Sequence, residues 1–141
     1  MSILVVDTSV VAQWYLPEQH TEVAMRLFGE KHELHAPPLL FLELDNVLCR
    51  NLRQGRINIS EAASIRKEIR EVKIQLHGGE HMLDLAFGLA VHSRCSMYDA
   101  VFLSLAQFIK GSLVTADLKL LRGIQPGPWS KHLVWIGDFN A

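Results

Sequence analysis

The chain opens on an unbroken apolar, β-branched run, Ile3 to Val6, that stops at an acid, Asp7. Runs of this kind suit a strand covered on both faces, as in a parallel sheet. Asp7-Thr8-Ser9 offers three good N-cap residues, and Val10 to Leu16 reads as a short helix closed by Pro17. Glu18 to Glu30, carrying Val23, Met25, Leu27 and Phe28, predicts a second helix that ends near Gly29. Leu34 to Ala36 predicts a short strand. Pro37-Pro38 after it suits the first turn of a new helix.

Leu39 to Gln54 repeats apolar residues at helical spacing: Leu40, Leu44, Val47, Leu48 and Leu52, with Gly55 as the stop. Ser60 is the expected cap of a helix from Glu61 to about Leu76, with Ala62, Ile65, Ile69 and Val72 along one side. Gly78-Gly79 interrupts. Met82 to His92 and a stretch from Ser96 to Ile109 read as two further helices. Ser112 to Thr115 is a strand, Asp117 to Arg122 a helical turn or two, Gly123 to Ser130 a loop, and Leu133 to Ile136 the last strand. Strands alternating with helices imply βαβ units. The expected fold is a three-layer α/β/α sandwich around a parallel sheet of four or five strands, one domain over residues 1–141. Sheets of this type bind ligands beyond the carboxyl ends of their strands, at the point where strand order reverses.

Composition narrows this only a little. A net charge of −1 excludes a uniformly basic nucleic-acid coat but not a local patch. A mean hydropathy of +0.14 suggests surface shared with a partner chain. Cys49 and Cys95 match no metal spacing and suggest two ordinary buried thiols in a reducing compartment. The first residues lack a basic leader, and no run of apolar residues is long enough to span a membrane. A cytoplasmic protein is the expectation.

The chemistry lies in four acids, each with a plain alternative. Asp7 ends the first strand and Asp117 follows a later one; either suits a helix cap. Parallel strands nevertheless place both at one sheet edge. Glu43 shares a helix side with Leu40 and Val47, where a carboxylate costs free energy unless paired or bound to a cation. Asp99, with Ser96, resembles a capping box. Clustered carboxylates need protons or a divalent cation, and oxygen-only ligands suit Mg²⁺ or Mn²⁺. Thr8, Ser9 and Thr115 are the hydroxyls placed to support them.

The segments Val5-Val6-Asp7-Thr8-Ser9-Val10, Pro38 to Glu43 with Leu44 to Leu48, Tyr98-Asp99-Ala100 and Val114-Thr115-Ala116-Asp117 resemble the four motifs of the PIN domain family. The chain is most similar to the VapC-type toxins of bacterial and archaeal toxin–antitoxin pairs. The resemblance covers essentially the whole chain. It implies a Mg²⁺- or Mn²⁺-dependent endoribonuclease whose catalytic, metal-holding set is Asp7, Glu43, Asp99 and Asp117, leaving a 5′-phosphate and a 3′-hydroxyl. The position where many relatives carry a further acid, one turn beyond the third, is Leu103 here. The resemblance also implies an antitoxin, with a basic side chain entering the acid pocket and an apolar segment lying beside helices 10–16 and 39–52. A homodimer would use a separate surface that includes helix 97–109. The alternative is a catalytically inactive PIN-like module that binds RNA or protein.

Seven of the 14 basic residues fall between Arg50 and Lys73, against three acids. Arg50, Arg53 and Arg56 are the candidates for holding RNA phosphates beside the pocket; two solvated helix faces with pairs such as Lys67–Glu71 are the plainer reading. His77 and His81 offer a zinc pair without a third ligand. Trp14, Tyr15, Trp129 and Trp135 suit base stacking, or more simply packing. A receiver-type phosphoacceptor needs an acidic pair after the first strand, where Asp7 stands alone.

Overall fold

A computed structural model of the chain describes residues 2–28, 31–124 and 127–139. Five strands, β1 (Ser2–Val6), β2 (His32–Ala36), β3 (Ile74–Leu76), β4 (Ser112–Thr115) and β5 (Leu133–Trp135), form one parallel sheet in the order β3-β2-β1-β4-β5. Val5 and Val6 of β1 and Leu113 and Val114 of β4 are fully buried. Central strands covered on both faces need apolar residues at every position, which is why both read as continuous runs.

The helices are α1 (Thr8–Tyr15), α2 (Thr21–Met25), α3 (Leu39–Arg53), α4 (Ile59–Glu71), α5 (Glu80–Ser93), α6 (Met97–Phe108) and α7 (Leu118–Ile124). The chain builds outward from β1 to β2 and β3, then crosses back to β4 and β5 on the other side. Right-handed crossovers therefore put α1–α4 on one face and α5–α7 on the other. α1 packs on α2 and α3, while α6 lies on β1 and β4 beneath α5. The order reverses at β1, so the crevice between β1 and β4 is the switch point.

Four local expectations change. The second helix is one turn, Thr21–Met25, because Thr21 Oγ1 accepts the Glu18 N–H at 2.8 Å and holds the preceding residues in a turn; its expected end at Gly29 lies outside the described residues. The cap of α4 is Asn58, not Ser60. Asn58 Oδ1 accepts the Glu61 N–H at 2.8 Å, and Glu61 Oε1 accepts the Asn58 N–H at 3.1 Å. That helix stops at Glu71, and Ile74–Leu76 becomes the edge strand β3, too short to interrupt a helical pattern in the sequence. Neither thiol is fully buried: Cys49 is exposed and Cys95 half-buried.

The capping correction is measurable. Asn58→Ala should lower the unfolding free energy by about 1 kcal/mol, and Ser60→Ala by less than about 0.5 kcal/mol, in urea titrations. A larger loss from Ser60→Ala would return the cap to that residue.

Candidate active site

Asp7 occupies the N-cap position of α1 without capping it: its side chain accepts no backbone N–H there. Instead its Oδ2 accepts the hydroxyl protons of Ser9 at 2.7 Å and Thr115 at 2.8 Å. Those hydroxyls are themselves pinned by backbone. Ser9 Oγ accepts the Ala116 N–H at 2.9 Å, and Thr115 Oγ1 accepts the Asp117 N–H at 3.0 Å. The start of α1 and the end of β4 are thus stitched together across the crevice with one carboxyl oxygen at the centre. Nothing among the described residues donates to Asp7 Oδ1, which leaves that oxygen available to a cation.

Glu43, one turn into α3, accepts the Thr8 hydroxyl at 2.9 Å. Asp99 stands in the first turn of α6, where Ser96 Oγ accepts its N–H at 3.1 Å; the return bond of a full capping box is not made. Asp117 does cap α7: its Oδ1 accepts the N–H groups of Lys119 at 2.9 Å and Leu120 at 3.3 Å. So the capping reading holds for one oxygen of Asp117, fails for Asp7, and is half-made at Asp99.

The four acids sense one another. Burial lifts the Asp7 carboxyl from 3.8 to about 6; the Ser9 and Thr115 hydroxyls oppose the rise, and Asp99 and Asp117 add to it. Burial also lifts Glu43, against the Thr8 hydroxyl, with Asp7 and Asp99 adding. Asp99 is lifted by burial and by Asp117, while the Ser96 hydroxyl and Lys119 pull it down. Asp7 thus feels Asp99 and Asp117, and Glu43 feels Asp7 and Asp99, at the carboxyl edge of the sheet. Among the described residues, no three His, Cys, Asp or Glu side chains form a ready-made metal cage. Mg²⁺ does not require one, since it keeps several waters and takes only one or two carboxylates along with substrate phosphate oxygens. An all-oxygen donor set with one free, buried carboxyl oxygen fits such a hard cation.

The sequence model of the PIN domain matches residues 4–123. This chain belongs to the PIN domain family. Within it, the ribonuclease VapC3 of Pyrobaculum aerophilum is 35% identical over 119 residues, covering 83% of this chain and 91% of that protein. Solved structures agree on the fold. A crystal structure from Pyrobaculum aerophilum superposes with a TM-score of 0.71 at 20% identity, covering 96% of this chain and 90% of that one. VapBC2 of Rickettsia felis, bound to a DNA fragment from its promoter, superposes with a TM-score of 0.66 at 12% identity, covering 94% and 98%. PIN-domain ribonucleases are generally metal-dependent.

Other candidate residues sit elsewhere in this PIN domain. Leu103, at the place of the family's further acid, is fully buried in the core. Arg50 and Arg53 lie toward the far end of α3 and Arg56 just past it. At 1.5 Å per residue, Arg50 is about 10 Å and Arg53 about 15 Å along the helix axis from Glu43. Arg66 pairs with Asp45 at 2.8 Å and Arg70 stacks over Phe41; the expected Lys67–Glu71 pair is not among the ion pairs of the described residues. Trp14 is buried, donates to Ala24 O at 2.8 Å and packs on Phe28, which makes it a core residue. His77 and His81 do not converge: His77 bonds to His35, and His81 stacks on Phe108. Lys119, which sequence reasoning missed, follows Asp117 by two residues and is the cation that moderates Asp99.

The raised Asp7 carboxyl makes a stability prediction for this PIN domain. A group that binds its proton more tightly folded than unfolded stabilises the fold at low pH and loses that contribution as pH rises from about 4 through about 6. The difference amounts to on the order of 3 kcal/mol at pH 7. Asp7→Asn should therefore raise the melting temperature in EDTA at pH 7 and flatten the difference between the two proteins below pH 4. A variant less stable than the wild type at pH 7 would contradict the electrostatic account.

Proposed function

We propose that this chain is a Mg²⁺- or Mn²⁺-dependent endoribonuclease that hydrolyses RNA phosphodiester bonds as the toxin of a toxin–antitoxin pair. The observation that carries the reading is the hydroxyl-held pair of carboxylates at the switch-point crevice, Asp7 bonded by Ser9 and Thr115 and Glu43 by Thr8. The ribonuclease name of the 35% identical relative supports it. A divalent cation, when bound, supplies Lewis acidity to the phosphoryl oxygen and lowers the pKa of an attacking water. Asp7 is the fixed member, its carboxylate plane set by Ser9 and Thr115. Thr8 orients Glu43 toward the same crevice. Carboxyls lifted toward neutrality, as those of Asp7, Glu43 and Asp99 are, accept a water's proton more readily than ordinary ones.

The partner is an antitoxin. The VapBC name of the Rickettsia felis neighbour supports this, and so does the surface. α1 packs on α3, and the groove expected beside them falls on the outer side of α1. An open cleft lies there, between α1 and α4, lined by Trp14, Tyr15, Ile65, Glu61 and Glu68. Its acids and aromatic rings suit an apolar segment carrying a basic residue. The expected homodimer face on α6 has Tyr98 and Phe108 exposed, and α5 extends it. The inner residues of α6, Phe102, Leu103 and Leu105, are buried, whereas Leu83, Phe87 and Val91 form an exposed apolar line along α5. That line is the proposed two-fold contact. Among the described residues no helix is long and apolar enough to cross a membrane.

Incubating the purified chain, freed of any partner, with total RNA tests the activity. Cleavage should require Mg²⁺ or Mn²⁺, stop in EDTA, and fall roughly 10²- to 10⁴-fold in Asp7→Asn, Glu43→Gln or Asp99→Asn. Sequenced ends should carry a 5′-phosphate and a 3′-hydroxyl. Undiminished cutting in EDTA, or none by the wild type in either metal, contradicts the reading.

A further inference from the structure

α7 starts at the acid site and brings a lysine with it. Thr115 Oγ1, which donates to Asp7 Oδ2 at 2.8 Å, accepts the Asp117 N–H at 3.0 Å. Asp117 Oδ1 in turn accepts the N–H groups of Lys119 at 2.9 Å and Leu120 at 3.3 Å. These bonds tie the Lys119 backbone, through two acids of the candidate set, to the buried centre of the crevice.

From that anchor Leu120 turns into the core, where it is 3% exposed, and Lys119 stays at the surface. The ion pairs of the described residues are Arg26–Glu22, His35–Glu33 and Arg66–Asp45, and Lys119 belongs to none of them. Its charge nevertheless reaches the acids. Of the groups that shift Asp7, Glu43 and Asp99 most, Lys119 alone is cationic, and it acts on Asp99. The side chain is thus fixed at its backbone and uncommitted at the ammonium, at the end of a flexible four-carbon stem.

We propose that Lys119 binds the scissile phosphate of the RNA, its ammonium donating to a non-bridging oxygen at the rim of the crevice. The inference rests on the ribonuclease reading and adds to it a residue outside the four acids. A phosphate entering a crevice of carboxylates meets like charge, and a basic side chain held at the entrance offsets it. The same contact strengthens as negative charge develops on the phosphoryl oxygens. Lysine suits this task as a compact point charge with three donors. The other role open to Lys119 is that of a counter-charge to Asp99 alone, and it predicts the opposite sign. Removing a counter-charge would tighten cation binding at the acids and speed cleavage in scarce Mg²⁺, whereas removing a phosphate ligand slows cleavage.

The test uses the full chain and two readouts. The first is cleavage of single-stranded RNA across a range of Mg²⁺. Lys119→Ala should lower kcat roughly 10²-fold at saturating Mg²⁺, with a smaller rise in KM. Lys119→Arg should recover most of the loss, since the charge is kept. The second readout is binding of a labelled short RNA to the Asp7→Asn protein at fixed Mg²⁺ and rising KCl. Each phosphate contact adds about 0.7 to the slope of log Kd against log salt for a single strand. Adding Lys119→Ala to Asp7→Asn should therefore reduce that slope by about 0.7, and adding Lys119→Arg instead should leave it unchanged. An unchanged slope in the alanine variant overturns the proposal whatever happens to cleavage, because a lysine that only supports α7 could slow the reaction by displacing Asp117. A reduced slope with cleavage intact places the contact on a distant phosphate and also overturns it, as does faster cleavage by Lys119→Ala in scarce Mg²⁺. If the wild type cuts nothing, the ribonuclease reading fails and the slope alone decides: a reduced slope keeps Lys119 as a phosphate-binding residue, and an unchanged one overturns it.

Discussion

Everything at the site depends on one buried carboxylate. Asp7 stands where β1 meets α1, and burial there strongly favours the protonated form. Two hydroxyls, from Ser9 and Thr115, keep one oxygen satisfied while the other is left open. Those hydroxyls are polarised in turn by the backbone N–H groups of Ala116 and Asp117. The strain of holding a carboxylate here is the source of its chemistry. A divalent cation relieves the desolvation and the repulsion from Asp99 and Asp117 together, so affinity for the cation is built from the instability of the free acid.

The fold supplies this constraint cheaply. A parallel sheet puts the carboxyl ends of β1 and β4 side by side, and the reversal of strand order at β1 opens a crevice between them. The middles of the central strands are apolar, and the polar residues Asp7 and Thr115 fall at their carboxyl ends. α3 and α6 start at that same edge, which brings Glu43 and Asp99 to it from opposite faces. Their starts also frame the groove that carries His77 and Tyr98. The acids and the groove are thus two consequences of one edge.

Much of this was legible in the residues. The runs 3–6 and 112–115 announced buried parallel strands, and acids at their ends pointed to the switch point. The supporting hydroxyls also fell where the sequence put them, on Asp7 and Glu43. What was hidden depended on tertiary context. β3 has three residues at a sheet edge, and Leu76 extends the helical pattern of α4 in phase, which masks it. Asn58 outcompeted Ser60 because only Asn58 has a glutamate three residues on to complete a capping box. The His35–His77 pair joins residues 42 apart through strand pairing, and no local pattern marks it.

The central claim is that Asp7 is a strained carboxyl awaiting a cation. Carbon-13 NMR of the side-chain carboxyl groups, followed across pH with and without Mg²⁺, reads this at the atom concerned. In EDTA the Asp7 signal should titrate near 6, and added Mg²⁺ should move its midpoint well down. A midpoint close to the ordinary 3.8 in EDTA, unchanged by Mg²⁺, would contradict the account.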